Sequence, residues 1–206
     1  MGASNACISC HQPRRGGPEA TDGKYMQTSS HWGPHHGPQA TMLEGIQGAE
    51  VVGTVSYPAA GTAEHTTGAS CISCHMGETT DGTDGGHTFA PTANSCLTCH
   101  DSGAPESVDG LAVAMETLKG LLAQVEGQKI EEDENEEYQL VFEDDGTTPV
   151  MVTGIIIDNE PQLGSFDIDV AKAAWNYLFV LEDSSNGVHN PKYSMALIQN
   201  SIELID

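Results

Sequence analysis

Apolar and polar positions follow two different rhythms along this chain, and the change falls near residue 104. Beyond it, Leu111, Met115, Leu118, Leu122 and Val125 recur every three or four positions, which predicts a helix within 105–129. The acidic run 131–137 that follows reads as a solvated surface turn. Residues 138–142 and 149–157 then read as the two strands of a hairpin around Asp144-Asp145-Gly146. Asp167 is placed to accept from first-turn amides as the N-cap of a helix carrying Val170, Ala174, Tyr177, Leu178 and Leu181. Asn190 caps a last helix with Pro191 at its first position, where no N–H is needed, running to Ile202 or beyond.

Before residue 104 neither rhythm holds. Arg14-Arg15-Gly16-Gly17-Pro18, Tyr57-Pro58 and Asp81-Gly82-Thr83-Asp84-Gly85-Gly86 mark loops, and large apolar side chains are few. With 23 glycines and only 5% aromatic residues in 206, this half buries too little apolar surface to offset its conformational entropy. Something else must complete its core. The expected organisation is a loop-rich segment 1–103 and a more regular segment 104–206 packed back on it as one integrated domain.

The chemistry lies in the cysteines. All six fall into three Cys-x-x-Cys-His motifs: Cys7, Cys10 and His11; Cys71, Cys74 and His75; Cys96, Cys99 and His100. Two thiols three residues apart on one helical turn can add to the two vinyl groups of a haem while the next histidine turns to the iron. The six cysteines are then thioether anchors of three haem c groups, and the three histidines their proximal ligands. A zinc ribbon would use the second and third pairs but orphan the first and leave three histidines unexplained. Thioredoxin-like pairs need a βαβ setting that the Gly, Ser and Thr-rich surroundings lack, and structural disulfides would not repeat the histidine. The predicted architecture is therefore mainly α with much irregular structure, organised around covalent haems, with a small β-hairpin in the C-terminal half.

Cys7 and Cys71 are separated by 64 positions, Cys71 and Cys96 by 25, so the second and third haems are expected as close neighbours. Six further histidines, His31, His35, His36, His65, His87 and His189, are candidates for the three sixth positions. They favour bis-histidine ligation over the higher-potential methionine alternative.

The succession Cys71-Ile72-Ser73-Cys74-His75-Met76, Gly86-His87, the Cys96 motif and Gly187-Val188-His189-Asn190-Pro191-Lys192-Tyr193 resembles multihaem cytochromes related to cytochrome c nitrite reductase and hydroxylamine oxidoreductase. His35-His36-Gly37-Pro38-Gln39 also resembles stretches of extracellular electron-transfer cytochromes. The resemblance implies that His87 and His189 are distal ligands. His36 is the preferred third, with His35, His31 and His65 in reserve. A histidine near the place of His65 belongs to the active site of nitrite reductases, but their Cys-x-x-Cys-Lys motif is absent here, so His65 is read as a ligand or surface residue first.

Electron transfer by a trihaem c-type cytochrome is thus the expected function, with no catalytic residue assigned. A filament of copies is one version of it, and nitrite or hydroxylamine chemistry at an open-coordinate haem is the alternative. Seven basic against 30 acidic residues, a formal charge of -23, disfavour nucleic acid and anionic membrane surfaces as partners and favour other redox proteins or copies of the chain itself. No stretch approaches the roughly 18–20 apolar residues of a membrane span. Attachment of this kind takes place outside the cytoplasmic membrane, so a periplasmic or extracellular location is expected, with a leader or further upstream sequence that the chain starting Met1-Gly2-Ala3-Ser4 does not include.

Overall fold

A computed structural model describes residues 4–206 apart from 78, 80, 81, 89, 102 and 104–106. The first half holds short elements: α1 (Asn5–Ile8), β1 (Lys24–Gln27), α2 (Gln39–Glu44), α3 (Glu64–Gly68), α4 (Cys71–His75) and α5 (Ala93–Leu97). The second half begins with α6 (Leu111–Leu122), inside the stretch predicted as helical; the start of that stretch, 105–106, lies outside the described residues. Strands β2 (Glu126–Gln128), β3 (Ile130–Glu132), β4 (Tyr138–Leu140), β5 (Met151–Thr153), β6 (Ile156–Ile157), β7 (Glu160–Pro161) and β8 (Gly164–Asp167) follow. Helices α7 (Ile168–Asp183) and α8 (Pro191–Ile205) close the chain.

This is a mixed α/β fold, which corrects the expectation of a mainly α protein built on haems. An antiparallel four-stranded sheet runs in the order β1-β8-β2-β5, and β3-β4 and β6-β7 form two further pairs. The fold also has a hydrophobic core of its own. Leu118 and Leu122 of α6, Phe166 of β8, Trp175 and Phe179 of α7, and Tyr193, Leu197 and Ile198 of α8 are fully buried within it. At about 1.5–3 kcal/mol for each large apolar side chain buried, this core contributes a driving force of its own. The sequence reading missed it because the sheet is assembled from strands of two to four residues, too short to show an alternating pattern.

The hairpin differs for a related reason. Its turn forms, with Gly146 N–H donating to Glu143 O at 2.8 Å, Phe142 bridged to Pro149 and Val150 N–H donating to Val141 O at 3.0 Å, but the two arms part beyond that pair. Lys129 lies between them: Val141 N–H donates to Lys129 O at 3.0 Å and Lys129 N–H to Val150 O at 2.8 Å. Thus β4 pairs with β3 and β5 with β2. The α6 helix stops short of this segment because Gly127 is a poor helix former and its bare Cα lets the Phe166 ring approach, where a Cβ would collide. The tip of the acidic run is exposed at the β3-β4 turn, while Glu131 and Glu132 belong to β3.

Both predicted caps of the last two helices are present. Asp167 accepts from Asp169 N–H, and Asn190 Oδ1 accepts from Tyr193 N–H at 3.2 Å. The first half joins this core at defined places. β1 is an edge of the main sheet, Trp32 meets Trp175 edge-on at 5.8 Å, and Asn176 exchanges two 2.8 Å hydrogen bonds with the backbone of Ala49. From residue 52 to 110, by contrast, no described hydrophobic side chain is buried. That stretch carries two of the three Cys-x-x-Cys-His motifs.

Candidate functional site

Each motif folds as a single helical turn. Residues 71–75 form α4; His11 N–H donates to Cys7 O and His100 N–H to Cys96 O, both at 2.9 Å. Positions three and four apart share one face of such a turn, so both thiols and the histidine of each motif are neighbours. None of the six cysteines is in a disulfide. Burial pushes the Cys71 and Cys74 thiols upward in pKa.

The structure brings one further histidine to each motif histidine. Ring centroids are 6.4 Å apart for His11 and His87, 6.2 Å for His75 and His189, and 6.2 Å for His100 and His65. With a metal–nitrogen bond of about 2.0 Å and roughly 1.1–1.2 Å from ring nitrogen to ring centre, two imidazoles on opposite sides of one metal have centroids about 6.3 Å apart. Two imidazoles of a tetrahedral site would be near ~5.1 Å by the same arithmetic. The three pairs lie near the first separation, which also falls within the 4.5–7 Å range of ordinary edge-on and tilted ring contacts.

Three of these rings have Nδ1 hydrogen-bonded. His11 Nδ1 lies 3.1 Å from Gln39 Oε1, His65 Nδ1 2.7 Å from Val188 O, and His189 Nδ1 2.7 Å from Asp183 Oδ1. A ligating imidazole typically donates its second N–H to a carboxylate, amide or backbone carbonyl, which fixes the tautomer and leaves Nε2 free for metal. Burial, and then the facing His189, hold the His75 imidazole below its usual pKa, favouring the neutral form a ligand needs. His87 reaches its place in a left-handed backbone conformation, φ 67°, with its N–H donating to His75 O at 3.0 Å. Backbone strain of this kind in a non-glycine residue persists where the surroundings enforce it.

One short segment holds the outer partners together. At the end of α7, the Glu182 carbonyl accepts from Gln39 Nε2 at 3.0 Å, and Gln39 faces His11. Asp183 faces His189, and Val188 in the α7-α8 turn faces His65. All three pairs are thus oriented from residues 182–189. Gly187, φ 83°, lets this turn lie against Leu111 and Val108, where any Cβ would clash.

The pairs adjoin in the order first, second, third motif. Cys71 lies within electrostatic reach of Cys7, and Ile72 N–H donates to Ser4 Oγ at 3.3 Å, whereas Cys74 lies within electrostatic reach of Cys96 and Cys99. Ser95 Oγ donates to Cys74 O at 3.2 Å. The 64-residue sequence gap between the first two motifs therefore does not separate them in space.

Other candidates fall elsewhere. His36, preferred as the third distal residue, has a side chain 83% exposed beside Glu182, and His35 is tilted against it at 5.1 Å. His31 Nδ1 is 3.3 Å from Ser30 Oγ. The place opposite His100 belongs to His65, and sequence spacing alone held no signal for that, since 35 residues separate the two.

Among the described residues no group of three or more His, Cys, Asp or Glu side chains converges as a site for a metal ion. Paired imidazoles instead suit a metal that brings its own four equatorial donors, as haem iron does. Ile72, Met76 and Leu97, within or beside the motifs, expose apolar surface of the kind a macrocycle covers.

No family model, curated protein sequence or solved structure matches this chain. Among the described residues no helix is long and apolar enough to cross a membrane.

Proposed function

We propose that the chain is a trihaem c-type cytochrome that carries electrons through three adjoining bis-histidine sites. The observation that supports this best is the set of three histidine pairs at 6.2–6.4 Å, each containing one motif histidine. Cys7 and Cys10, Cys71 and Cys74, and Cys96 and Cys99 would tether the groups; His11 with His87, His75 with His189, and His100 with His65 would bind the irons. When bound, each haem would supply a one-electron iron couple. Gln39, Asp183 and Val188 would hold ring protons on the outer nitrogens, and the one-turn helices keep thiols and histidine on one face.

Electron transfer is favoured over nitrite or hydroxylamine chemistry by the same observation. Substrate must enter an open sixth position, and each motif histidine here already has a histidine opposite it. All three pairs are complete within one chain, so assembly into a filament would not depend on a donated ligand. The acidic surface suits a basic redox partner or a divalent cation that screens contacts between copies. Because thioether attachment occurs outside the cytoplasmic membrane, the reading includes a periplasmic or extracellular location.

Pyridine haemochrome analysis with intact mass, followed by low-temperature EPR of the oxidised protein, tests the proposal. Three covalent haems, all low-spin and unresponsive to nitrite or hydroxylamine, are expected. A chain without haem would overturn the reading, and a stoichiometric high-spin signal shifted by either compound would make the protein an enzyme.

A further inference from the structure

The partners of the histidine Nδ1 atoms are not alike. Gln39 offers an amide oxygen to His11 and Val188 a carbonyl to His65. His189 alone among these three meets a carboxylate, at 2.7 Å, and that carboxylate is fully buried while the His189 side chain is 22% exposed. The other Asp183 oxygen accepts from Ser185 Oγ, and Ser185 Oγ in turn accepts from His189 N–H at 3.2 Å. This closed three-residue ring fixes both carboxylate oxygens and the imidazole plane.

We propose that Asp183 is a positioning residue that makes the second site, His75 with His189, the lowest in potential of the three. This rests on the haem reading above. A hydrogen-bonded carboxylate raises the basicity of its imidazole, and a buried negative charge beside the iron favours the ferric state; neutral acceptors do neither to the same degree. Because the second site lies between the other two, electrons would cross a low-potential centre flanked by two higher ones.

The test uses the haem-loaded full chain and two substitutions of opposite sign. Asp183→Asn keeps the shape and an acceptor but removes the charge; Gln39→Glu adds a carboxylate at His11, on the first residue of α2. In spectroelectrochemical titration with three haems confirmed per chain, D183N should raise the lowest of three one-electron waves, shifting its oxidised-to-reduced ratio at least tenfold, about 59 mV. Q39E should lower a different wave. The inference is overturned if D183N leaves every wave within that tenfold range, or moves all three alike, or if both variants move the same wave. If D183N does not assemble, Q39E alone decides, and a wave that fails to fall refutes the rule. Absence of haem from the parent chain would instead overturn the haem reading itself.

Discussion

Replacing His65 by Ala isolates the least obvious of the three pairs. His65 is half-buried on α3, its Nδ1 lies 2.7 Å from Val188 O and its ring faces His100 at 6.2 Å. Loss of the hydrogen bond costs about 0.5–1.5 kcal/mol, and Val188 is half-exposed, so water can take over its carbonyl. That is small beside a typical total stability of roughly 5–15 kcal/mol, so the chain should still fold and attach three haems. One iron in three then loses its sixth ligand. EPR of H65A should show a high-spin signal integrating to one haem per chain, and added imidazole should return it to low spin. His36→Ala, removing an exposed residue beside Glu182, should leave every haem low-spin. A low-spin H65A spectrum, or a high-spin signal in H36A, would refute the pairing.

The core makes its own prediction. Leu118→Ala removes a fully buried side chain and should cost about 2–5 kcal/mol in urea unfolding followed by far-UV circular dichroism. The Asp145 carboxylate, held by Thr147 and Thr148 at the hairpin turn, is depressed to about 2. Its folded pKa lies below the unfolded value of about 3.9, so its contribution is fully present above pH ~4 and is lost as pH falls through about 2. An NMR titration of this side chain with a midpoint near 4 would contradict that. In a variant with all six cysteines replaced by Ser, hydrogen exchange should become fast across 52–110 but remain slow in α6, α7 and α8. No Lys or Arg lies between Lys24 and Lys119, so trypsin cannot report on that segment.

Much of the second half was legible because its signals are local. Asp167 and Asn190 sit where cap chemistry puts them, while α7, expected to bury one apolar stripe, is buried all round from Ala173 to Val180 with Val170 only partly covered. The sheet was not legible, since β1 and β8 meet across some 140 residues and neither alternates over a useful length. The motifs were visible as residue types at fixed offsets. Their partners were not, because which histidine approaches which depends on tertiary structure: His87 lies between the second and third motifs in sequence but beside His11 of the first in space. His65 and His36 illustrate the limit. Both are loop-flanked histidines in the first half, and only the path of α3 past Val188 distinguishes them.

The uneven core explains why one turn carries so much. Residues 52–110 hold two motifs and two of the three distal candidates, yet bury no described hydrophobic side chain. Such a segment cannot fix imidazoles to a few tenths of an ångström by its own packing. The α7-α8 connection can, because both helices are anchored by buried aromatic and aliphatic side chains and Asn190 ties the turn to Leu43 O as well as to Tyr193. Every outer hydrogen bond traced to residues 182–189 therefore borrows rigidity from the core and delivers it to a ligand. The α/β fold and the irregular half have complementary parts in this arrangement: one supplies a fixed frame of acceptors, the other wraps thiols and imidazoles around three adjoining sites. A mainly α, haem-built protein would have had no such frame before its cofactors arrived.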